Sequence, residues 1–284
     1  IETAEQFRNS HLSHWDDVLD RMTGPDFTGD THGEGDPENF IHQYIALILP
    51  RVVYDNPKVS VESRTPLAQM MFAPQMEAAC NTWIRLTRIR STLSRIATDM
   101  LLGFGVAMVS HEPDHTRRSI DGREPWLPRT YRISPHDFFI DPQATHAEEA
   151  RYMGHVYRID HDDLLKRAEE EDGWDAGVIE SLSFGVDDGH RDRMVGREGP
   201  DRKQISVYEV WVPEFVPDEE QIDGIMDTNL HNGTVLTIIK GQASGDSSAV
   251  YGYARDPQPY YGPMSGPYTL FGCYSVPDDP YPLS

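Results

Sequence analysis

Cysteine is almost missing from this sequence. Only Cys80 and Cys273 occur, far apart, and neither sits in a CxxC or Cys/His pair, so a disulfide framework and a thiolate zinc site are both excluded. Both are expected as free thiols in a reducing compartment. Long apolar runs are missing too. The nearest approach, Phe40 to Tyr54, is interrupted by His42, Gln43, Pro50 and Arg51, and no run of about eighteen apolar residues is left to span a bilayer. No secretory leader is expected either. Basic residues are scarce, 25 against 47 acidic ones, for a formal charge of -22. Such a surface repels polyanions on average, which argues against a sequence-reading DNA-binding protein. The same sign suits a surface past which DNA slides without sticking.

What is present describes a folded protein. The 284 residues suffice for one large or two ordinary domains. Hydrophobic content of 38% with 25% charged residues fits a packed core, while 22 glycines and 21 prolines imply much loop. The organising stretch runs from Glu77 to Asp141. Its middle is expected as one long helix, Met76 to about Leu102, leading through Gly103-Phe104-Gly105 into a strand, Val106 to Ser110. Leu86, Ile89, Leu93, Ile96, Ala97 and Met100 recur as an apolar stripe at helical spacing. On the opposite side Arg85, Arg88 and Arg95 share one narrow sector. That row is either a solvated face or a contact with acidic groups of a neighbouring subunit or with phosphate. Gly103 and Gly105 are expected to end the helix in a left-handed cap. They are not a dinucleotide fingerprint, which follows a strand and opens a helix; here the helix comes first and no third glycine follows.

Along the chain, Thr3 and Gln6 read as a capping box for an amphipathic first helix reaching Met22, which Gly24-Pro25 ends. Asp36 with Pro37 starts a second helix to about Tyr54, expected to be largely buried and kinked near Pro50. Val59 to Glu62 alternates as a short strand, and Thr65-Pro66 opens a short helix. After Val106 to Ser110 come a polar segment, His111 to Pro128, and a strand at Tyr131 to Ile133. Asp137 to Pro142 follows, with Asp141 expected to cap local backbone. Arg151 to Arg158 reads as a strand, Asp160 to about Glu171 as a charged helix, and Ser183 to Arg202 as a polar loop. Ile205 to Val212 is the clearest strand of the second half. His231-Asn232-Gly233-Thr234 signals a turn before a strand at Val235 to Ile239. The tail from Asp256, dense in tyrosine and proline, is expected as a packed extended segment.

Candidate chemistry is thin. Asp26 to Asp36 alternates acids and glycines but lacks the order of an EF-hand loop. His111, Asp114 and His115 have the residue types of metal ligands without a regular scaffold. Gly262 to Gly266 misses the GxSxG elbow by one position, and Gly245-Asp246-Ser247 lacks the strand-turn-helix context. No nucleophile, base and orienter assemble. Neither an enzymatic activity nor a cofactor or metal is expected.

The order of elements resembles the portal, or head-to-tail connector, proteins of tailed bacteriophages, of the podophage type. The matching features begin with Asn56-Pro57-Lys58-Val59 after a helix, then Glu77, Asn81 and Trp83, then Asp99 to Val106 with its Gly-Phe-Gly. They continue with Arg132 to Phe138, Asp141-Pro142, Glu148 to Gly154, Tyr208 to Trp211, and the ending from Val276 to Ser284. The resemblance implies a ring, usually of twelve subunits, at one capsid vertex, through which double-stranded DNA is packaged and ejected without sequence-specific binding. It implies as partners the chain itself, the terminase motor, capsid protein and tail adaptor proteins, with no membrane. The implied location is the virion, and the host cytoplasm during assembly. Opening on Ile1 and closing just where a stem helix would start, the chain is expected to be a wing region whose stem and clip lie outside this sequence.

The expected fold class is α+β, mixed helices and short antiparallel strands with long loops. The division expected is 1–64, a helical arm with a first strand, and 65–284, the wing. Arg85, Arg88 and Arg95 are the expected inter-subunit or DNA-guiding contacts. Two other readings stay open: an acidic virion adaptor or scaffold-type protein that binds only protein partners, and a metal-dependent hydrolase using His111, Asp114 and His115.

Overall fold

A computed structural model describes residues 1–23, 40–53, 57–113, 126–170, 173–181, 204–214, 232–242 and 249–283. It is an α+β fold with two antiparallel sheets. Its contacts divide the chain into two compact units, Ile1–Glu5 with Asp137–Pro267, and Gln6–His136 with Tyr268–Ser284. This spatial division uses a different criterion from the 1–64 and 65–284 division by sequence.

The first, the sheet unit, is built on five antiparallel strands in the order β3 (Phe138–Ile140), β4 (Met153–Asp160), β5 (Gln204–Val212), β6 (Thr234–Gln242) and β7 (Ala249–Pro259). Strands buried on both faces need apolar residues at odd and even positions alike, and β5 supplies them. Ile205 and Val207 pack with Leu164 of α6 (His161–Glu170), Ile179 of α7 (Ala176–Ser181), Ile239 and Ala254. Tyr208 and Val210 point the other way, to Phe139, Leu236 and Ala4 of α1 (Glu2–Thr23), whose first turn belongs to this unit. The Tyr208 and Tyr251 hydroxyls donate to Glu5 and Glu2, each at 3.1 Å. Asp141 caps local backbone, as expected: its carboxylate accepts from Gln143 N at 3.0 Å and from Arg151 Nε at 2.7 Å. The Arg151 guanidinium holds its pKa below the usual carboxylate value.

The second, the helical unit, contains α2 (Phe40–Val52), α3 (Pro66–Met71), α4 (Ala73–Leu86) and α5 (Ile89–Leu102). Its sheet has the order β2 (Trp126–Ile133), β1 (Gly105–Pro113), β8 (Tyr268–Phe271). Tyr281, 1% exposed, packs with Phe7, His11 and Phe104. His11 Nε2 lies 2.7 Å from the Asp279 carboxylate. The tail thus contributes extended, packed structure, as its composition predicts, and β8 pairs with β1 from Gly105↔Phe271 to Met108↔Tyr268.

Several expectations are corrected here. Thr3 lies inside α1, which starts at Glu2, so it is not the cap. Helix α2 is not largely buried: Tyr44, Leu47 and Val52 are each more than half exposed, while Ile45 is buried. Val59 to Glu62 forms no strand, because side chains of helices take its backbone groups in place of a partner strand. Val59 N donates to Asn81 Oδ1 at 3.0 Å, Asn81 Nδ2 returns to Val59 O at 2.9 Å, and Val61 N donates to Glu77 Oε2 at 3.3 Å. Gly103 is not left-handed, with φ 179. It is glycine because a Cβ there would stand 2.5 Å from Trp15 Cδ1. Strands β1 and β2 run further into the expected loop than predicted, pairing as far as Pro113↔Trp126.

Candidate functional site

The expected helix from Met76 to Leu102 is two helices, α4 and α5, joined by a corner at Thr87 and Arg88. Thr87 N and Oγ1 both donate to Trp83 O, at 2.9 and 3.0 Å, which tightens the last turn of α4. Arg88 then adopts the left-handed region, φ 50 and ψ 40, a conformation that costs a non-glycine residue roughly 1 kcal/mol. Two anchors on β2 account for the corner. Trp83 Nε1 donates to Pro128 O, and the Arg132 guanidinium grips the Asp99 carboxylate through Nε and through Nη2, the latter at 2.7 Å. Along a straight helix Trp83 and Asp99, sixteen residues apart, would lie about 24 Å from each other. On a strand Pro128 and Arg132 lie only about 13 Å apart. Bending at Arg88 brings the helical anchors into register with the strand.

The corner creates the site. Between α5 and β2 lies a cleft of about 590 Å³, lined by Arg88 at the corner, Thr92 and Arg95 from the helix and Arg129, Thr130 and Arg132 from the strand, with Leu86, Thr87, Leu127 and Tyr131 completing it. Arg88 at the corner and Thr92, Arg95 and Asp99 of α5 follow one another at i, i+4, i+7 and i+11, the spacing of one helix face. At one end of that stripe Asp99, 4% exposed, forms the bidentate pair with Arg132 and fixes the strand against the helix. Arg88 and Arg95 are exposed further along and have no acidic partner among the described residues. The cleft therefore concentrates cations on a chain whose net charge is strongly negative.

Of the three predicted arginines, the structure brings Arg88 and Arg95 together in the cleft. Arg85 stays outside its lining, with Nη2 donating to Thr82 Oγ1 at 3.3 Å. Arg129 and Arg132 escape a reading of the sequence. A strand residue's neighbours depend on which helix packs against it, and nothing local in Pro128 to Ile133 announces α5. His111 lies exposed in β1, opposite Pro128. Asp114, His115, the acidic loop Asp26 to Asp36 and Gly245-Asp246-Ser247 lie outside the described residues. Among the described residues no group of three or more His, Cys, Asp or Glu side chains could hold a metal ion, and no helix is long and apolar enough to cross a membrane.

The sheet unit holds a second cluster of ionisable groups. Ladder partners His155↔Glu209, Glu209↔Thr237 and Thr237↔Arg255 set one polar row across four strands. Burial pushes His155 down to about 4, so its imidazole is neutral at pH 7. Burial raises the Glu209 carboxyl, which the Tyr157 hydroxyl counters by hydrogen-bonding it. The Arg255 guanidinium lies over the Trp174 ring, 5.6 Å from its centroid. The row abuts the apolar cluster under α6 and α7, and it pins the strand register, because a one-residue slip would turn every member to the opposite face.

No family model matches the chain, and no curated protein matches it.

Proposed function

We propose that the chain is a structural subunit of a closed homo-oligomeric ring, a portal-type connector of a tailed phage that passes double-stranded DNA and has no chemistry of its own. The observation that carries the proposal is the apolar surface of α3 and the start of α4. Leu67, Met70, Met71, Phe72 and Met76 fall within ten residues, and each is more than half exposed, Met70 at 77%. Large apolar side chains crowded on adjacent helices mark a surface made for a protein partner. Flexible methionines suit a face that must fit a copy of itself in a curved assembly. A second copy is the occupant proposed. Like charge opposes the association of copies carrying -22 each, so apolar contact has to supply the drive. Head-to-tail contacts of one patch with a different one close into a ring when the rotation between copies closes, and run on as a filament when it does not. The resemblance in order of elements supplies the portal type, and the excess of acid suits a passage for DNA.

The test is sedimentation velocity and negative-stain imaging of the protein with whatever native C-terminal sequence its source encodes. Closed rings with a hole of roughly 20 Å or more, wide enough for a duplex, are expected. Monomers at high concentration, or compact particles without a hole, would overturn the ring and favour an acidic adaptor that binds other proteins.

A further inference from the structure

We infer that the cleft between α5 and β2 binds linked phosphate groups, the chemistry shared by nucleotide polyphosphates and a nucleic-acid strand. The inference rests on the cleft alone and does not depend on the ring. Four arginines line one concavity of about 590 Å³, with the Arg132 guanidinium held by Asp99 and Arg88 and Arg95 exposed. Guanidinium is the side chain best matched to phosphate, since its planar fork offers paired donors to paired oxygens. Thr92 and Thr130 add neutral hydroxyls to the same wall.

Two features favour a row of phosphates over a carboxylate. The carboxylate that this cleft needs for its own structure is already present: Asp99 holds Arg132 bidentately at the buried end. What remains is an open, one-sided array, with Arg88 and Arg95 separated by seven residues, about 10 Å along the axis. A single carboxylate has two oxygens close together and satisfies one guanidinium at a time. A ligand carrying successive phosphates reaches both arginines and the strand residues between them. The left-handed Arg88 belongs to the same design, because the corner it makes turns the α5 stripe toward β2. Leu127 and Tyr131 give the cleft an apolar flank against which a sugar or base can rest.

The test uses the whole chain and two probes, inorganic tripolyphosphate by calorimetry and a labelled short DNA duplex by fluorescence anisotropy over a salt series. The combined variant Arg88→Gly, Arg95→Gln removes the exposed cations; glycine is chosen because it accepts the left-handed corner. Arg90→Gln, an exposed arginine of α5 outside the cleft lining, is the control. The combined variant is expected to weaken binding of at least one probe about tenfold or more, with the control unchanged. If the duplex binds, the slope of log affinity against log salt should fall by about 2, because each arginine removed leaves one phosphate with its counterion. Binding of tripolyphosphate alone supports a free polyphosphate ligand, and binding of both supports a nucleic-acid strand. Absence of binding to either probe overturns the inference, as does equal binding by the variant with a wild-type circular dichroism spectrum. Salt-sensitive self-association that the variant loses, without phosphate binding, would overturn it in favour of carboxylates from a second copy. Ring formation is read separately by sedimentation, so either reading can fail without the other.

Discussion

The two units handle their apolar surface in opposite ways. Among the described residues the sheet unit leaves Tyr253, Tyr261 and Met264 as exposed large apolar side chains. The helical unit leaves Tyr44, Leu47, Val52, Leu67, Met70, Met71, Phe72, Met76, Leu86, Val109, Tyr274 and Leu283. The sheet unit covers both faces of β5, and of its ionisable row His155 and Thr237 are buried and Glu209 and Arg255 half-buried. The helical unit assembles a framework and leaves its outer helices uncovered. Large apolar side chains left uncovered on adjacent helices are the feature on which the proposed contact between copies rests.

The contrast is most sharply tested in the helical unit at Asp99. Asp99→Ala leaves the Arg132 guanidinium without its bidentate partner and frees α5 from β2. Breaking such a pair from one side costs about 3 kcal/mol. The loss should appear in urea melts followed by fluorescence, with amide protection falling in α5 and β2 and persisting in β4 and β5. Equal loss in both units would break the distinction between them.

Next in size is the sheet unit's response to acid. A His155 held down to about 4 against an ordinary 6.5 contributes stability that is present above pH 6.5 and is lost as pH falls toward 4. The shift corresponds to about 3 kcal/mol. Glu209, whose pKa is raised, works in the opposite sense: its contribution is present in acid and is lost as pH rises through its folded pKa. The diagnostic is therefore the difference between the wild type and His155→Gln, measured by denaturant melts at pH 7, 5.5 and 4. The wild type should lose its advantage across this window, and a constant difference would exclude His155 as the cause.

The smallest effect separates folding from assembly. Leu67→Ser with Met70→Ser should change the stability of the dilute protein by no more than about 0.5 kcal/mol, since the side chains are exposed. The same pair should markedly reduce self-association in sedimentation. A large loss of stability when dilute would mean that the patch belongs to the chain's own core.

Much of the fold was legible in the sequence where one local signal sufficed. Strand β5 follows from its apolar run, α3 from Thr65-Pro66, and the capping role of Asp141 from its place before Pro142. Legibility ended where distant partners decide. Nothing at Thr87-Arg88 stops a helix, having neither glycine nor proline; the stop is imposed by Pro128 and Arg132, more than forty residues on. The apolar residues of α2 predicted burial, yet composition alone does not distinguish a core from an interface. Arg85, Arg88 and Arg95 read as one helical row, but neither the corner that leaves Arg85 outside nor the strand that makes a cleft at Arg88 and Arg95 was legible.

Hydrogen exchange of α3 and α4 as a function of protein concentration tests whether a second copy covers these helices. If a second copy covers Leu67 to Met76, amide protection of residues 66–86 should rise from dilute to concentrated protein, while that of β5 stays constant. Protection in α3 and α4 that does not change with concentration, in protein carrying its native C-terminal sequence, would mean that no second copy binds there.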